Sequence, residues 1–420
     1  MNGRFGHALF ALIIAATGAH AQEATAEKEA AVFEPLDYTI RVDTVLKHDD
    51  GEFIWFHPRV AAIPGAGKDG GPAVIMTLQK HLHVSDHYSG LYEMRTDDLG
   101  VTWIGPTPRA EMDWVTRPDD EVEAMCDVTP GWHAQAKRLL AIGAKVRYRE
   151  DGEQLYDKPR SRAGAYSVFD PRKSQWYAWR VLSMPDVLSK FFGVTPGCVQ
   201  WLAEPDGSVL LPIYFFSGSD PNVPSKSTVV RCSFDGRTLR YVEHGDELEL
   251  NVVRGLVEPS LAKFGGRYYL TLRNDERGYV TVGDDGLHFA PIQPWTFDDG
   301  EDLGSYNTQQ LWLTHSDGLF LVYTRRGANN DHIMRHRAPL FIAQVDPEKC
   351  CVVRSTERVL IPERGAQMGN FGAASITAGE SWVTVSEGMW GEARQRGAEG
   401  ATFVARVLWS TPNRLVAEHE

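Results

Sequence analysis

Cysteine is scarce: the 420 residues hold five (Cys126, Cys198, Cys232, Cys350, Cys351), none in a C-x-x-C pair. That excludes a disulfide-framed miniature scaffold and a zinc ribbon or finger. Burial as small hydrophobes is the ordinary fate of such residues. Basic residues are outnumbered, 43 Lys and Arg against 56 Asp and Glu, for a formal net charge of −13. Nucleic acid and anionic membrane surfaces both reward basic patches, so neither is an expected partner. An acidic ligand has to be met by arginines gathered locally. Long apolar runs are missing after the first two dozen residues; none approaches the ~20 that a membrane span needs, and no membrane insertion is expected. Amphipathic helical periodicity is nearly absent, and so are low-complexity tracts.

What remains is a globular β-type composition, 43% hydrophobic and 10% aromatic. At the N-terminus Arg4, an apolar run from Ala8 to Ala16 and the small-x-small site Ala19-His20-Ala21 read as a signal peptide. The expected organisation is a signal peptide at 1–21, a flexible polar segment at 22–36 and a single domain at 37–420. The mature protein is expected to be periplasmic or secreted, and a monomer.

From about Glu34 the chain is a series of short β-branched and aromatic runs cut by Gly, Asp and Pro turns, which points to a sandwich, barrel or propeller. Repeats decide among these. One two-strand unit recurs six times, at Pro58–Gln79, after Val128-Thr129-Pro130-Gly131, after Val194-Thr195-Pro196-Gly197, and at Val257–Leu272, Tyr306–Tyr323 and Asn370–Val385. At roughly 60 residues each, the units suit four-stranded blades. A turn motif supports the count. Arg95–Trp103 reads Arg-Thr-Asp-Asp-Leu-Gly-Val-Thr-Trp, in which Asp bonds its own backbone and Gly supplies the positive φ of the turn. Asp284-Asp285-Gly286-Leu287-His288-Phe289 and Ser233-Phe234-Asp235-Gly236-Arg237-Thr238 are degenerate copies. The fold expected is all-β, a six-bladed β-propeller of four-stranded antiparallel blades. Pairing of Val42–Leu46 with Phe403–Trp409 would close the ring. Seven blades would require strands in Pro106–Cys126 or Asp151–Arg162.

In a propeller the first strand of each blade lines the axis. Aligning the units on their turns places Arg59, His133, Cys198 or Gln200, Glu258, Asn307 or Gln309, and Asn370 or Phe371 at equivalent positions. Such a ring is a polar binding site, or else it satisfies backbone groups along the channel.

The Ser/Thr-x-Asp-x-Gly-x-Thr-Trp pattern is similar to the Asp box of the sialidase superfamily, and the resemblance extends over nearly the whole mature chain. It implies an exo-acting glycosidase for a terminal acidic sugar of a glycan. Pro58-Arg59-Val60 stands where the family carries a carboxylate-binding arginine, so Arg59 takes that role. Asp86, in Gln79–Gly90 ahead of the first Asp box, takes the acid/base role. Glu258-Pro259-Ser260 and the strand ending in Arg273 resemble the family's inner carboxylate and second arginine. Arg335 and Arg337 are candidates for the third. The family's nucleophile is a tyrosine, yet Gly369-Asn370-Phe371-Gly372 stands in its place. Tyr306 is an alternative source of the hydroxyl.

The cluster His81-Leu82-His83-Val84-Ser85-Asp86-His87-Tyr88 and the inner-strand His133 favour a second reading. Propeller polysaccharide lyases that cleave beside uronic acids are similar in using histidine and tyrosine as base and acid, with arginine neutralising the carboxylate. A carbohydrate-binding propeller without turnover is the third. Catalytic candidates are therefore Asp86, Glu258, His133 and Tyr306. Candidate substrate contacts are Arg59, His83, Arg273, Gln309, Arg335 and Arg337, with Asp331 and His332 from the polar Thr324–Arg337 loop. No cofactor is implied, and no metal: His81, His83 and His87 in a loop with one carboxylate make a poor ligand set.

Overall fold

The computed structural model describes residues 35–82, 86–118, 121–149, 155, 162–218 and 223–416. The signal peptide read at 1–21, most of the 22–36 segment, the substrate-contact candidate His83 and nearly all of Asp151–Arg162 lie outside the described residues.

Narrow antiparallel sheets are what short apolar runs between Gly, Asp and Pro turns can build. Six such sheets stand in a ring, a six-bladed β-propeller. Blade one is Ile54–Ile63, Ala73–His81, Tyr88–Thr96 and Ile104–Pro108, in that order from axis to rim. Blade four repeats it with Val257–Phe264, Arg267–Arg273, Gly278–Gly283 and Gln293–Pro294. Blade two opens on Glu121–His133, against which the short Val115–Thr116 pairs. In blade three the inner strand is split into Gly193–Thr195 and Leu202–Ala203, both paired to Ser208–Phe216. Blade five opens on Leu311–His315.

Blade six takes three strands from near the C-terminus, Gly372–Thr377, Glu380–Ser386 and Ala401–Trp409, and its fourth from the start of the domain. There Tyr38–Lys47 runs antiparallel to Ala401–Trp409 with Val42 opposite Ala405. This is the closure expected from sequence, and it ties the two ends of the ring together. Pro106–Cys126 supplies the end of blade one and the start of blade two, not a seventh blade. The core is correspondingly divided into clusters between adjacent blades, such as Leu140, Tyr166, Val194 and Leu211 between two and three.

The Asp turns are made as their residues require. Asp98 Oδ1 accepts from Thr102 N at 2.8 Å and Thr96 Oγ1 at 2.9 Å, and Gly100 N donates to Thr96 Oγ1 at 2.7 Å. Asp235 Oδ1 accepts from Arg237 N and Thr238 N at 2.9 and 2.7 Å. Asp285 Oδ1 accepts from Leu287 N and His288 N at 2.9 and 2.8 Å. Two further copies have no glycine in the turn, and proline follows each aspartate. Asp170 Oδ1 accepts from Arg172 N at 3.0 Å, and Asp346 Oδ1 from Glu348 N and Lys349 N at 3.0 and 3.1 Å. All five close the turn that leaves a blade's third strand.

The first of these turns also fastens blade one to blade six. Buried Arg406 donates to Leu99 O at 2.5 Å, to Asp43 at 2.7 Å and to Glu380 at 3.2 Å. Trp103 packs against fully buried Trp382, ring centroids 6.1 Å apart. Gly100 holds φ 75°, and a Cβ there would stand 2.6 Å from the Arg406 guanidinium. Gly100→Ala is therefore expected to destabilise by about 1–2 kcal/mol, read as a lower denaturation midpoint at unchanged slope. All five cysteines are buried and unpaired, Cys350 and Cys351 included. No helix among the described residues is long and apolar enough to cross a membrane.

Candidate active site

The inner strands enter their blades through an irregularity. Pairing slips between Phe56 and Arg59, between Cys126 and Thr129, and between Val257 and Ser260. A bulge leaves a residue out of the ladder and re-aims its side chain. The residues so released hold positive φ although none is glycine: His57 51°, Asp127 57° and Glu258 46°, joined by Cys198 at 61° and Asn307 at 51°. Such conformations are uncommon and cluster at functional sites. His57, Asp127, Cys198, Glu258 and, from blade six, Asn370 line one cavity of about 520 Å³ at the mouth of the axial channel.

Arginines crowd one side of that cavity. Arg273 Nη1 donates to Glu258 Oε1 at 2.5 Å, and its Nη2 reaches Asn307 Oδ1 at 2.7 Å and Asp275 Oδ1 at 3.3 Å. Burial pushes the Glu258 carboxyl up, but Arg273, then Arg254 and Arg337, hold it on balance below the usual glutamate range. Glu258 is thus an anion with a buried cation on it. Arg337 differs. Its Nε and Nη2 donate to the Asn307 carbonyl oxygen at 3.2 and 2.5 Å, and among the described residues it forms no ion pair. Burial, followed by repulsion from Arg273 and Arg335, brings its guanidinium down to about 10. Arg254 pairs loosely with Asp275 at 3.3 Å, and Arg147, Arg162 and Arg335 complete the basic lining.

The opposite wall carries Asp86, Tyr88, Phe56 and Trp390. Tyr148 Oη donates to Asp86 O at 2.8 Å and accepts from Tyr88 N at 3.3 Å, so one hydroxyl holds both backbones. Tyr88 Oη stands 3.5 Å from Asp86 Oδ1. Burial raises the Tyr88 phenol well above its ordinary value and Tyr214, also in the cavity, to about 12. Both are neutral hydroxyls at physiological pH. Tyr148→Phe removes the support for Asp86 and orphans Tyr88 N, at a cost of about 1–2 kcal/mol. The expected result is a roughly tenfold fall in kcat, with KM and far-UV circular dichroism unchanged.

Of the residues singled out from sequence, His81, Asp86, Cys198, Glu258, Arg273, Arg335, Arg337 and Asn370 line the cavity together. The other described candidates lie elsewhere. Arg59, two residues beyond the bulge, points into the channel beneath, where it donates to Val128 O at 3.3 Å and Gln309 Oε1 at 3.2 Å. Gln309 in turn donates to Phe371 O, so this pair ties inner strands together. His133 is buried at the far end of its strand, between Gly207 O at 3.0 Å and Ala136 N at 3.1 Å. Tyr306 bonds His336 Nδ1 at 2.5 Å and is not among the cavity-lining residues. Asp331 and His332 pair with His336 and Glu363, both at 3.2 Å, and stay outside the cavity. Phe371 is fully buried in the blade-six core, and Asn370 is the residue presented.

Sequence reading missed His57, Asp127, Tyr88, Tyr214, Arg162 and Arg254. A signal for one of them existed: His57-Pro58 matches Glu258-Pro259. The repeated Val-Thr-Pro-Gly misled, because Asp127 precedes its first copy whereas Cys198 follows its second.

Ring, bulges and a charged axial pocket define a sialidase-like β-propeller. No family model matches the chain, and no curated protein sequence matches it. Solved structures do. A Hadza microbial sialidase superposes with a TM-score of 0.60 at 12% identity, over 90% of this chain and 69% of that one. A variant of the NanB sialidase from Streptococcus pneumoniae gives 0.58 at 10%, over 86% and 70%. Trypanosoma rangeli sialidase in complex with sialic acid gives 0.52 at 11%, over 89% of this chain and 59% of that longer one. At such identities the likeness is one of fold.

Proposed function

We propose that the protein is an exo-acting glycoside hydrolase that removes a terminal sugar carrying an anionic group. The observation that carries this reading is Arg337: a buried guanidinium facing the cavity with no ion pair among the described residues, flanked by Arg273 and Arg335. A desolvated cation among cations is stabilised by an incoming anion, and a carboxylate fits the planar fork. Glu258 as an ionised carboxylate and Asp86 across the cavity supply base and acid, or the activator of a cavity tyrosine. The solved neighbours named as sialidases support the glycosidase class. The signal-peptide pattern at 1–21 supports action after export, in the periplasm or outside the cell, and nothing in the reaction requires more than one chain.

Aryl glycosides of acidic and neutral terminal sugars, together with uronate polysaccharides, test the proposal when released aglycone and ultraviolet absorbance are followed together. Turnover of an acidic glycoside, with its neutral counterpart untouched, is expected. A rise in ultraviolet absorbance from an unsaturated uronate, without hydrolysis, would replace the proposal with the lyase reading.

A further inference from the structure

The cavity floor has two halves. Blades four and six contribute Glu258 and Asn370, next to the arginines. Blades one to three contribute His57, Asp127 and Cys198, one residue from each, and these carry a different chemistry. Their donor atoms all lie within 4.8 Å of one another. His57 Nε2 is 3.1 Å from Asp127 Oδ1, close to the separation two ligands keep when they share an ion through bonds of about 2 Å.

The trio is held rather than accidental. Cys198 N donates to Asp127 O at 3.0 Å, which ties the gap in blade three's inner strand to the bulge of blade two. His57 and Cys198 are buried, whereas Asp127 is partly open toward the cavity. His57 Nε2, the ring nitrogen that faces Asp127, is the one offered to an ion, while Nδ1 on the other side of the ring has no hydrogen-bond partner among the described residues. All three residues are also held at positive φ, a strain that loosely chosen side chains would not need.

We propose that His57, Asp127 and Cys198 form a binding site for a borderline-soft divalent cation of the zinc type, with its remaining coordination position open to the cavity. One imidazole, one carboxylate and one thiolate are a ligand set for such an ion. Three protein ligands with an open position is the arrangement of reactive rather than purely structural sites. Arg59 lies beneath the trio and opposes an incoming cation. Asp127 balances that guanidinium, and the Cys198 thiol gives up its proton as the ion binds. The three positions are 70 and 71 residues apart in the chain, so no spacing motif announces them.

The test uses the mature full-length protein, stripped with a chelator, dialysed, and titrated with Co²⁺ and separately with Zn²⁺. Uptake is measured by elemental analysis and the Co²⁺ form by its absorption spectrum. The expected result is one ion per chain and a sulfur-to-cobalt charge-transfer band. Cys198→Ser should abolish that band and weaken Zn²⁺ binding by more than the ~10–100-fold that loss of an outer partner costs. Cys232→Ser, buried in a different cluster, should leave both unchanged. His57→Gln gives the same comparison if Cys198→Ser does not fold, because it removes a ligand without touching a thiol. Wild-type protein that takes up no stoichiometric ion overturns the proposal, as does a thiolate band that survives Cys198→Ser. Neither readout depends on turnover, so the site can fail while the hydrolase reading stands, and the reverse.

Discussion

Glu258→Gln is expected to lower kcat on an anionic glycoside by about 10²–10⁴-fold, the range for loss of a positioned acid or base, while KM stays level or falls. Glutamine keeps the shape of the side chain and its bond to Arg273, now 2.5 Å long, so the bulge at Glu258-Pro259 has no reason to relax. What goes is the negative charge and the proton acceptor. Arg273, left with Asp275 as its carboxylate partner, then makes the cavity more positive, which favours an anionic substrate in the ground state. A split in which kcat falls and KM does not rise is the mark of a group that acts in the transition state.

The pH dependence has a definite sign. The folded-state value of Glu258 is depressed on balance, with the arginines outweighing burial. The carboxylate therefore persists below the usual glutamate range, and the acid limb of the wild-type profile should fall only as pH drops through that depressed value. The same group contributes stability above its unfolded-state value and loses it as pH falls through the folded one. In Glu258→Gln the acid limb should disappear together with the rate. A variant within about threefold of wild type in kcat would reduce Glu258 to a structural partner of Arg273.

The sequence was informative about the fold because a propeller repeats its local chemistry. The Asp98, Asp235 and Asp285 turns mark the same step in three blades, and Thr96, Gly100 and Trp103 do in the structure what those residue types require. The site was less legible, because it depends on register to a single residue. A bulge puts His57 rather than Arg59 at the cavity, and in blade two the residue presented is Asp127 at the pairing slip, not His133 at the far end of the strand. Arg59 and Gln309 then become cross-braces inside the channel. Polar character alone does not separate the two roles, since the inner strands supply polar residues to both and most of them are buried. Arg337 was found from sequence only by likeness of position. That it stands beside Arg273 and Arg335, with no ion pair among the described residues, is a property of the folded arrangement.

Arg337→Met should raise KM for the anionic substrate enough to cut kcat/KM by about 10²–10³-fold, the effect of removing one partner from a desolvated charged pair. The response of the neutral analogue should be small. Stability should move the other way. A base whose folded-state value lies below its unfolded one is penalised wherever the folded chain keeps it charged, and at neutral pH Arg337 is charged with a value brought down to about 10. Methionine fills much of the same volume without that burden, so the variant should unfold at a higher denaturant concentration, by about 1–3 kcal/mol. Function traded against stability at one buried residue is the behaviour of a binding group kept in place for its ligand. An anionic sugar acid that binds the cavity should raise the wild-type melting temperature through preferential binding to the folded state, and should raise that of Arg337→Met much less. If Arg337→Met is instead less stable than wild type and retains its affinity for the anion, the guanidinium serves the Asn307 carbonyl and the fold, and the carboxylate must be sought at Arg254 or Arg335.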